Sequence, residues 1–258
     1  MNSIYHEEQG KGPVLVFLHG FCENHEIWDD FIPTLSLHFK VITLDLPGFG
    51  ESPSLKTAFT IKEVSQAVIA FLELLHIQKS IIIGHSLGGY IALALAEERP
   101  DLVEGLCLFN STALADSEEK KLNRNKAMEF VVRNGVEPFV DTFVPGLFAQ
   151  KDQKNIPKVN RIASSTSKNS LLAYLKAMSD RPDMTNFLKS FQAPILFIAG
   201  ELDSFISPSS LEEQAKLSQK GRLAVLSKTG HMGMFEEPDK SINLLKDFAN
   251  TCFQSATS

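Results

Sequence analysis

The pentapeptide Gly84-His85-Ser86-Leu87-Gly88 sets one serine between two glycines. The run before it, SIII from Ser80, suits a buried strand, and the run after it, YIALALA from Tyr90, suits a helix. A serine at such a strand-to-helix turn sits in a strained backbone conformation that projects Oγ above the sheet. Side chains two residues to either side would collide with the neighbouring strand and helix, which explains the glycines. The chemistry this implies is nucleophilic attack on a carbonyl carbon. A serine hydroxyl alone is a weak nucleophile. It needs a base within hydrogen-bond reach, and that base needs an acid to orient it.

Candidates for both partners follow the serine along the chain, an acid and then a histidine, the order that serine turns of this kind take in an α/β sheet. Asp203 lies in AGELDSFIS, just past the apolar run PILFIAG, and His231 lies in SKTGHMGMFEEPD, just past RLAVLS. Of seven histidines, only His231 falls beyond a strand end late in the chain. An Asx turn is the alternative role for Asp203. The charge that develops on the attacked oxygen needs backbone N–H donors. Leu87 N–H, directly after the serine, is the first. The loop LHGFCEN supplies the second, with Gly20 allowing a tight backbone path and Phe21 N–H as the donor.

These groups need a sheet whose strand ends share one rim. Six apolar runs qualify as strands: VLVFLHG from Val14, VITLDLPG from Val41, IIIGHS from Ile81, LCLFNS from Leu106, PILFIAGELD from Pro194 and RLAVLS from Arg222. They are continuous rather than alternating, which predicts burial on both faces of a parallel sheet. SIYHEEQG adds an edge strand. Helical stretches separate most of them. One runs from Thr60 to Ile77 with Thr60 and Glu63 at capping-box spacing, and another from Ser210 is closed by Gly221. The expected fold is α/β, a mostly parallel, doubly wound sheet with helices on both faces.

The alternation stops after about Thr112, and only helical patterns follow until about Ser190. There Asp116 and Glu119 have capping-box spacing ahead of a helix ending at Gly135, and Asn169 is placed to cap another. This predicts a core of residues 1–114 and 191–258 and a helical cap, or lid, of residues 115–190. Phe139, Phe143, Leu147, Phe148 and Met178 should mostly pack the cap down, with a minority facing a pocket. Residues 115–190 carry thirteen Lys and Arg against nine Asp and Glu, whereas the rest carries twelve against twenty-two. That is either chance bias on two solvated surfaces or a basic lid drawing in anionic substrates.

A chain of 258 residues with 43% hydrophobic and 22% charged residues suits one globular domain with an insertion. Its net charge of −6 argues against a nucleic-acid partner. No apolar run approaches the roughly 20 residues of a membrane span, and MNSIYHEEQG has no signal-peptide pattern. Cys22, Cys107 and Cys252 are odd in number and far apart, with no disulfide or zinc spacing. A cytoplasmic protein without metal or cofactor is expected, and the sequence does not choose between monomer and homodimer. Cys22 is a reactive thiol or a small buried hydrophobe, and Trp28 packs the core or touches substrate. Asp45 with Gly48 and Gly50 reads as a turn, because GFG lacks the spacing of a phosphate-binding loop.

His19-Gly20-Phe21, the run DLPGFGES from Asp45, GHSLGG from Gly84, GELD from Gly200, Gly230-His231 and Glu237-Pro238 together resemble the capped α/β-hydrolases. The likeness is to the small esterase, lactonase and non-haem haloperoxidase group. It covers nearly the whole chain except the insertion, whose end, AMSDRPDMTNFL, also resembles the cap exit of such esterases. The resemblance implies an α/β-hydrolase fold and a serine hydrolase acting on a small-molecule carboxylic ester. It also implies that His19 braces the oxyanion loop. Asn110 occupies the strand end where some relatives carry the acid, but an amide cannot hold an imidazolium by charge. Asn110 is left to line the pocket or serve a turn, and His85 to a structural role.

Two other functions remain open at this level. Carbon–carbon bond hydrolases and the menaquinone-pathway lyase of this superfamily use the same three residue types. The lyase elbow usually reads G-Y-S-L-G-G-R, whereas His85 and Tyr90 stand here, although Arg124, Arg161 and Arg181 lie in the insertion. A low-turnover small-molecule receptor would show the same triad.

Overall fold

A computed structural model describes residues 4–150 and 154–255. The chain runs through β1 (His6–Gln9), β2 (Val14–Leu18), α1 (Ile32–Leu35), β3 (Lys40–Leu44), α2 (Ile61–Leu74), β4 (Ser80–His85), α3 (Leu87–Glu98) and β5 (Val103–Phe109). Five helices follow without an intervening strand among the described residues: α4 (Glu118–Asn134), α5 (Glu137–Phe143), α6 (Asn155–Ser164), α7 (Lys168–Asp180) and α8 (Thr185–Ser190). Then come β6 (Ile195–Gly200), α9 (Pro208–Leu217), β7 (Gly221–Leu226), α10 (Gly233–Glu236) and α11 (Pro238–Ser255).

The seven strands form one sheet in the order β1-β3-β2-β4-β5-β6-β7. β1 is antiparallel to β3, and every other neighbouring pair is parallel. The expected edge strand is therefore present. Sequence order reverses direction around β2, so β4 sits beside β2 near the middle, where open α/β sheets gather their ligands at the strand ends. Strands β4 and β6 are buried throughout, as their unbroken apolar runs require. β7 departs from that expectation. It is the far edge strand, and Val225 on it is 47% exposed. A run that reads as core is half-solvated because nothing pairs beyond it.

Helix ends show how local chemistry competes. Thr60 caps α2, and both halves of the capping box with Glu63 form. That helix stops at Leu74, ahead of His76 in the left-handed region (φ 56°). Three expected boundaries move. Ser117, not Asp116, caps α4, because the Asp116 carboxylate is taken by Arg124 and Arg181. Ser167, not Asn169, caps α7. Helix α9 ends at Leu217, and Gly221 begins β7 instead of closing the helix.

Trp28 is fully buried against Phe17, Phe31, His85 and Phe109, which makes it a core residue. All three cysteines are free and buried. Burial pushes the Cys22 thiol well up, more than its hydrogen bond with Thr166 brings it down, so it is a poor nucleophile. No helix among the described residues is long and apolar enough to cross a membrane.

Candidate active site

The C-terminal ends of β2, β4, β5, β6 and β7 open onto one rim. Ser86 follows β4 with φ 48° and ψ −114°, a conformation that costs about 1–3 kcal/mol for a residue with a side chain. The flanking glycines permit it. A Cβ on Gly84 would lie 2.4 Å from the Gly88 carbonyl oxygen, and one on Gly88 would lie 2.3 Å from the Leu18 carbonyl oxygen. The turn is tied to β5, since Ser86 N–H donates to the Phe109 carbonyl (3.0 Å) and Ser111 Oγ donates to the Ser86 carbonyl (2.6 Å). Leu87 opens α3, so its N–H has no carbonyl one turn back within the helix. Among the described residues neither the Leu87 nor the Phe21 N–H is committed to a hydrogen bond.

Asp203 and His231 meet on the same rim. His231 Nδ1 lies 2.8 Å from Asp203 Oδ2, and both side chains are buried. Asp203 Oδ1 accepts the backbone N–H groups of Phe205 (2.8 Å) and Ile206 (3.2 Å). With Nδ1 directed to the carboxylate, Nε2 is the nitrogen left for proton exchange. Burial alone would raise the Asp203 carboxyl. The charge and hydrogen bond of His231 and the Asn110 amide outweigh it, and the carboxyl falls to about 2.

Asn110 has a role beyond a turn or a pocket wall. Its φ of 45° is left-handed, and its Nδ2 donates to Asp203 Oδ2 (2.9 Å) and to the Gly230 carbonyl (3.2 Å). It thus joins β5 to both the Asp203 loop and the His231 loop. Its placement at a strand end is the signal that could have revealed this. Glu23 is missing from the sequence reading altogether. It is buried beneath the loop holding Phe21 and contacts His85.

His19 braces the same loop, its Nδ1 donating to the Gly20 carbonyl (2.8 Å) and its Nε2 accepting Leu46 N–H (2.9 Å). Burial holds its pKa below the ordinary value, so it stays neutral there. Asp45 serves the turn, accepting backbone N–H groups from His25 and Glu51 (2.8 Å each) and lying 2.8 Å from His25 Nδ1.

The helical segment between β5 and β6 contacts this rim. The ring of Phe205 lies 5.3 Å from that of His231, Phe143 lies 6.2 Å from Phe205, and Phe21 lies 5.8 Å from Phe143. Phe139 stacks on Phe143 at 5.2 Å. Leu147, Phe148 and Met178 are buried, whereas Phe139 and Phe143 are half-buried. Leu147 also accepts His231 N–H through its carbonyl (2.7 Å). The insertion's arginines face carboxylates: Arg124 and Arg181 bind Asp116, and Arg161 binds Glu26. Among the described residues no group of three His, Cys, Asp or Glu side chains is arranged to hold a metal ion.

Comparison with known proteins bears on the family and the reaction class. Along nearly its whole length the chain is similar to a pimeloyl-[acyl-carrier protein] methyl ester esterase of Vibrio vulnificus (strain CMCP6). Identity is 27% over 255 residues, covering 95% of this chain and 98% of that protein. It is 25% identical to a putative 2-succinyl-6-hydroxy-2,4-cyclohexadiene-1-carboxylate synthase of Bacillus subtilis (strain 168), over 95% of this chain and 93% of that one. Among solved structures, a thermophilic esterase from Thermogutta terrifontis superposes with a TM-score of 0.92 at 27% identity, covering 96% of this chain and 93% of the other. A family model for the alpha/beta hydrolase fold matches residues 13–238. The chain therefore belongs to the α/β-hydrolase fold family.

Proposed function

We propose that the protein is a serine hydrolase of small-molecule carboxylic esters, with Ser86, His231 and Asp203 as its triad. The observation that carries this is the chain of buried hydrogen bonds from Asn110 through Asp203 to His231, on the rim where Ser86 stands in its strained turn. The likeness to proteins named as esterases supports the reaction class.

In this mechanism Ser86 Oγ attacks the ester carbonyl carbon while His231 Nε2 takes its proton. Phe21 and Leu87 N–H donate to the oxyanion, and losing one such donor typically costs about 10²–10³ in rate. As the tetrahedral species collapses, His231 returns the proton to the leaving alkoxide, and the acyl group remains on Ser86. A water activated by His231 then releases the acid by the same steps in reverse order. Asp203 stays ionised and holds His231 in the tautomer with hydrogen on Nδ1. Residues 115–190 act as a cap, whose Phe139 and Phe143 join Phe205 of the β6–α9 loop in an apolar wall beside the base. This chemistry asks for no cofactor.

The likeness to the Bacillus subtilis synthase favours a second reading, elimination or carbon–carbon cleavage on a carboxylated substrate. That reading needs a cationic receptor for the carboxylate. Arg124, Arg161 and Arg181 are each paired with an acidic side chain, and Arg181 also stacks 3.9 Å over the Tyr90 ring. The ester reading has no such requirement. A receptor function differs in turnover, near one event per molecule instead of many.

The test is steady-state hydrolysis of p-nitrophenyl esters from acetyl to dodecanoyl, with a methyl ester of a pimeloyl thioester alongside and Ser86→Ala as control. A rate optimum that vanishes in Ser86→Ala supports the esterase. Rates no faster than the variant for every ester, with turnover of carboxylated dienoates, would favour the second reading.

A further inference from the structure

His85 and Glu23 are both buried, at 0% and 2% exposure, and the triad uses neither. His85 Nε2 lies 2.9 Å from the backbone carbonyl oxygen of His231. A carbonyl only accepts, so Nε2 must carry hydrogen. His85 Nδ1 lies 2.9 Å from Glu23 Oε2, and the same oxygen accepts Gly20 N–H at 2.6 Å. Gly20 N–H and His85 Nδ1 thus converge on one carboxyl oxygen, an arrangement that an ionised carboxylate facing a protonated Nδ1 satisfies.

We propose that Glu23 and His85 form a buried carboxylate–imidazolium pair that positions the oxyanion loop against the nucleophile turn and the base. The proposal rests on the esterase reading above. One pair touches all three loops. Glu23 draws Gly20 N–H inward, which leaves the next N–H, that of Phe21, for the substrate oxygen. His85 immediately precedes Ser86, and its other nitrogen fixes the main chain of His231. The loop bends sharply to bring Glu23 under it, with Cys22 at φ 59°. A Cβ on Gly20 would meet both Glu23 Oε2 and His85 Nδ1 at 2.7 Å, so the approach needs glycine there.

Electrostatics agrees with the geometry. Burial would push Glu23 up and His85 down, but their mutual charge and hydrogen bond outweigh it, holding Glu23 below and His85 above their ordinary values. The other titratable groups facing the pair are His19 and Cys22, on the oxyanion side, and Asp203 and the His231 ring, 5.0 Å from that of His85, on the acid side. Glu23 and His85 contact neither attacking nor leaving atoms, so both are positioning residues.

Three measurements test this on the full chain. In wild-type protein labelled with ¹⁵N-histidine, His85 should show two ring N–H signals across the range where free histidine titrates, about pH 5 to 8. A single ring N–H would overturn the ion pair and needs no variant to fold. In Glu23→Gln, kcat should fall about 10²-fold while KM for the ester moves less than about threefold, the signature of a transition-state interaction. Affinity for a trifluoromethyl ketone, whose adduct with Ser86 carries an oxyanion, should fall in step with kcat. In the double variant Glu23→Gln/His85→Gln no unpaired charge is buried, so thermal stability should return toward wild type while kcat stays low. Wild-type kcat in that double variant would overturn the positioning role. Wild-type ester hydrolysis no faster than that of Ser86→Ala would instead sink the serine-esterase reading itself, so the two failures are distinguishable.

Discussion

The strand-end rim and the helical segment above it are held in place by different physics. Among the described residues, four non-glycine residues have positive φ: Cys22, His76, Ser86 and Asn110. Three of these stand past the ends of β2, β4 and β5, where the candidate active site lies. Among its described residues the segment of α4 to α8 shows positive φ only at Gly135, which ends α4. Strain is thus concentrated where side chains must be aimed, and buried hydrogen bonds hold it there. The helical segment is attached by charge and by aromatic contact. Lys158 binds Asp29 at 2.9 Å and Arg161 binds Glu26, both across to the core, whereas Arg181 binds Asp116 within the segment (2.7 Å) and reaches the Leu114 carbonyl at its edge (2.9 Å). The contrast in net charge between residues 115–190 and the rest is therefore partly an internal complementarity, basic helices on an acidic core. Precision belongs to the rim, and the segment is fastened to it by ion pairs, by ring contacts and by the Leu147 carbonyl on His231 N–H.

The largest expected effect breaks that contrast at its strained centre. Ser86→Gly should lower kcat/KM by at least about 10⁴-fold. It should also raise stability by about 1 kcal/mol, because glycine accepts φ 48° without strain. Steady-state kinetics and urea denaturation on one preparation measure both, and a destabilised variant would contradict the strain argument.

On the other side of the comparison, Arg181→Met leaves the buried Asp116 with Arg124 alone. It should cost about 1.5–3 kcal/mol of stability, read from the urea midpoint, while kcat on a short-chain ester changes little. A large kcat loss with unchanged stability would show that the segment's margin controls chemistry.

The rim also has a pH signature. The Asp203 carboxyl at about 2 in the folded protein lies below the ordinary value of about 3.9, so the extra stability is full above that value. It is lost as pH falls from about 4 to about 2, and it amounts to about 2 kcal/mol. Asn110→Gly keeps the left-handed backbone but removes the Nδ2 donor. It should raise the Asp203 carboxyl, shrink this acid-labile increment and lower kcat about tenfold. Denaturation against pH for both proteins decides it.

The smallest effect concerns selection between substrates. Phe143→Ala removes a ring packed beside Phe21 and Phe205. It should move the chain-length optimum toward longer acyl groups, changing relative kcat/KM by about 1–2 kcal/mol. An unchanged profile would mean the acyl group binds elsewhere.

Much of this is legible before folding. The glycines around Ser86, the unbroken apolar runs and the Thr60–Glu63 capping box act over a few residues, so sequence spacing reports them directly. The order of Ser86, Asp203 and His231 is a chain property too. Competition among neighbours is harder to read. Asp116 and Ser117 can both cap α4, and the choice fell to Ser117 because two guanidiniums some residues away claim the carboxylate. RLAVLS reads as core, yet its place at the sheet edge leaves it half-solvated.

By itself, then, the sequence determined the α/β alternation, the strained serine turn and which residues stand past strand ends, because each depends on local backbone sterics and side-chain period. Only the tertiary structure decided which carboxylate faces which imidazole. The pairing of β5 with both β4 and β6 brings Asn110 to Asp203 across 93 residues, and the packing of the β2 loop on β4 brings Glu23 to His85 across 62. Such contacts follow from strand order, which is set by the burial of the whole sheet and is written in no single stretch of the chain.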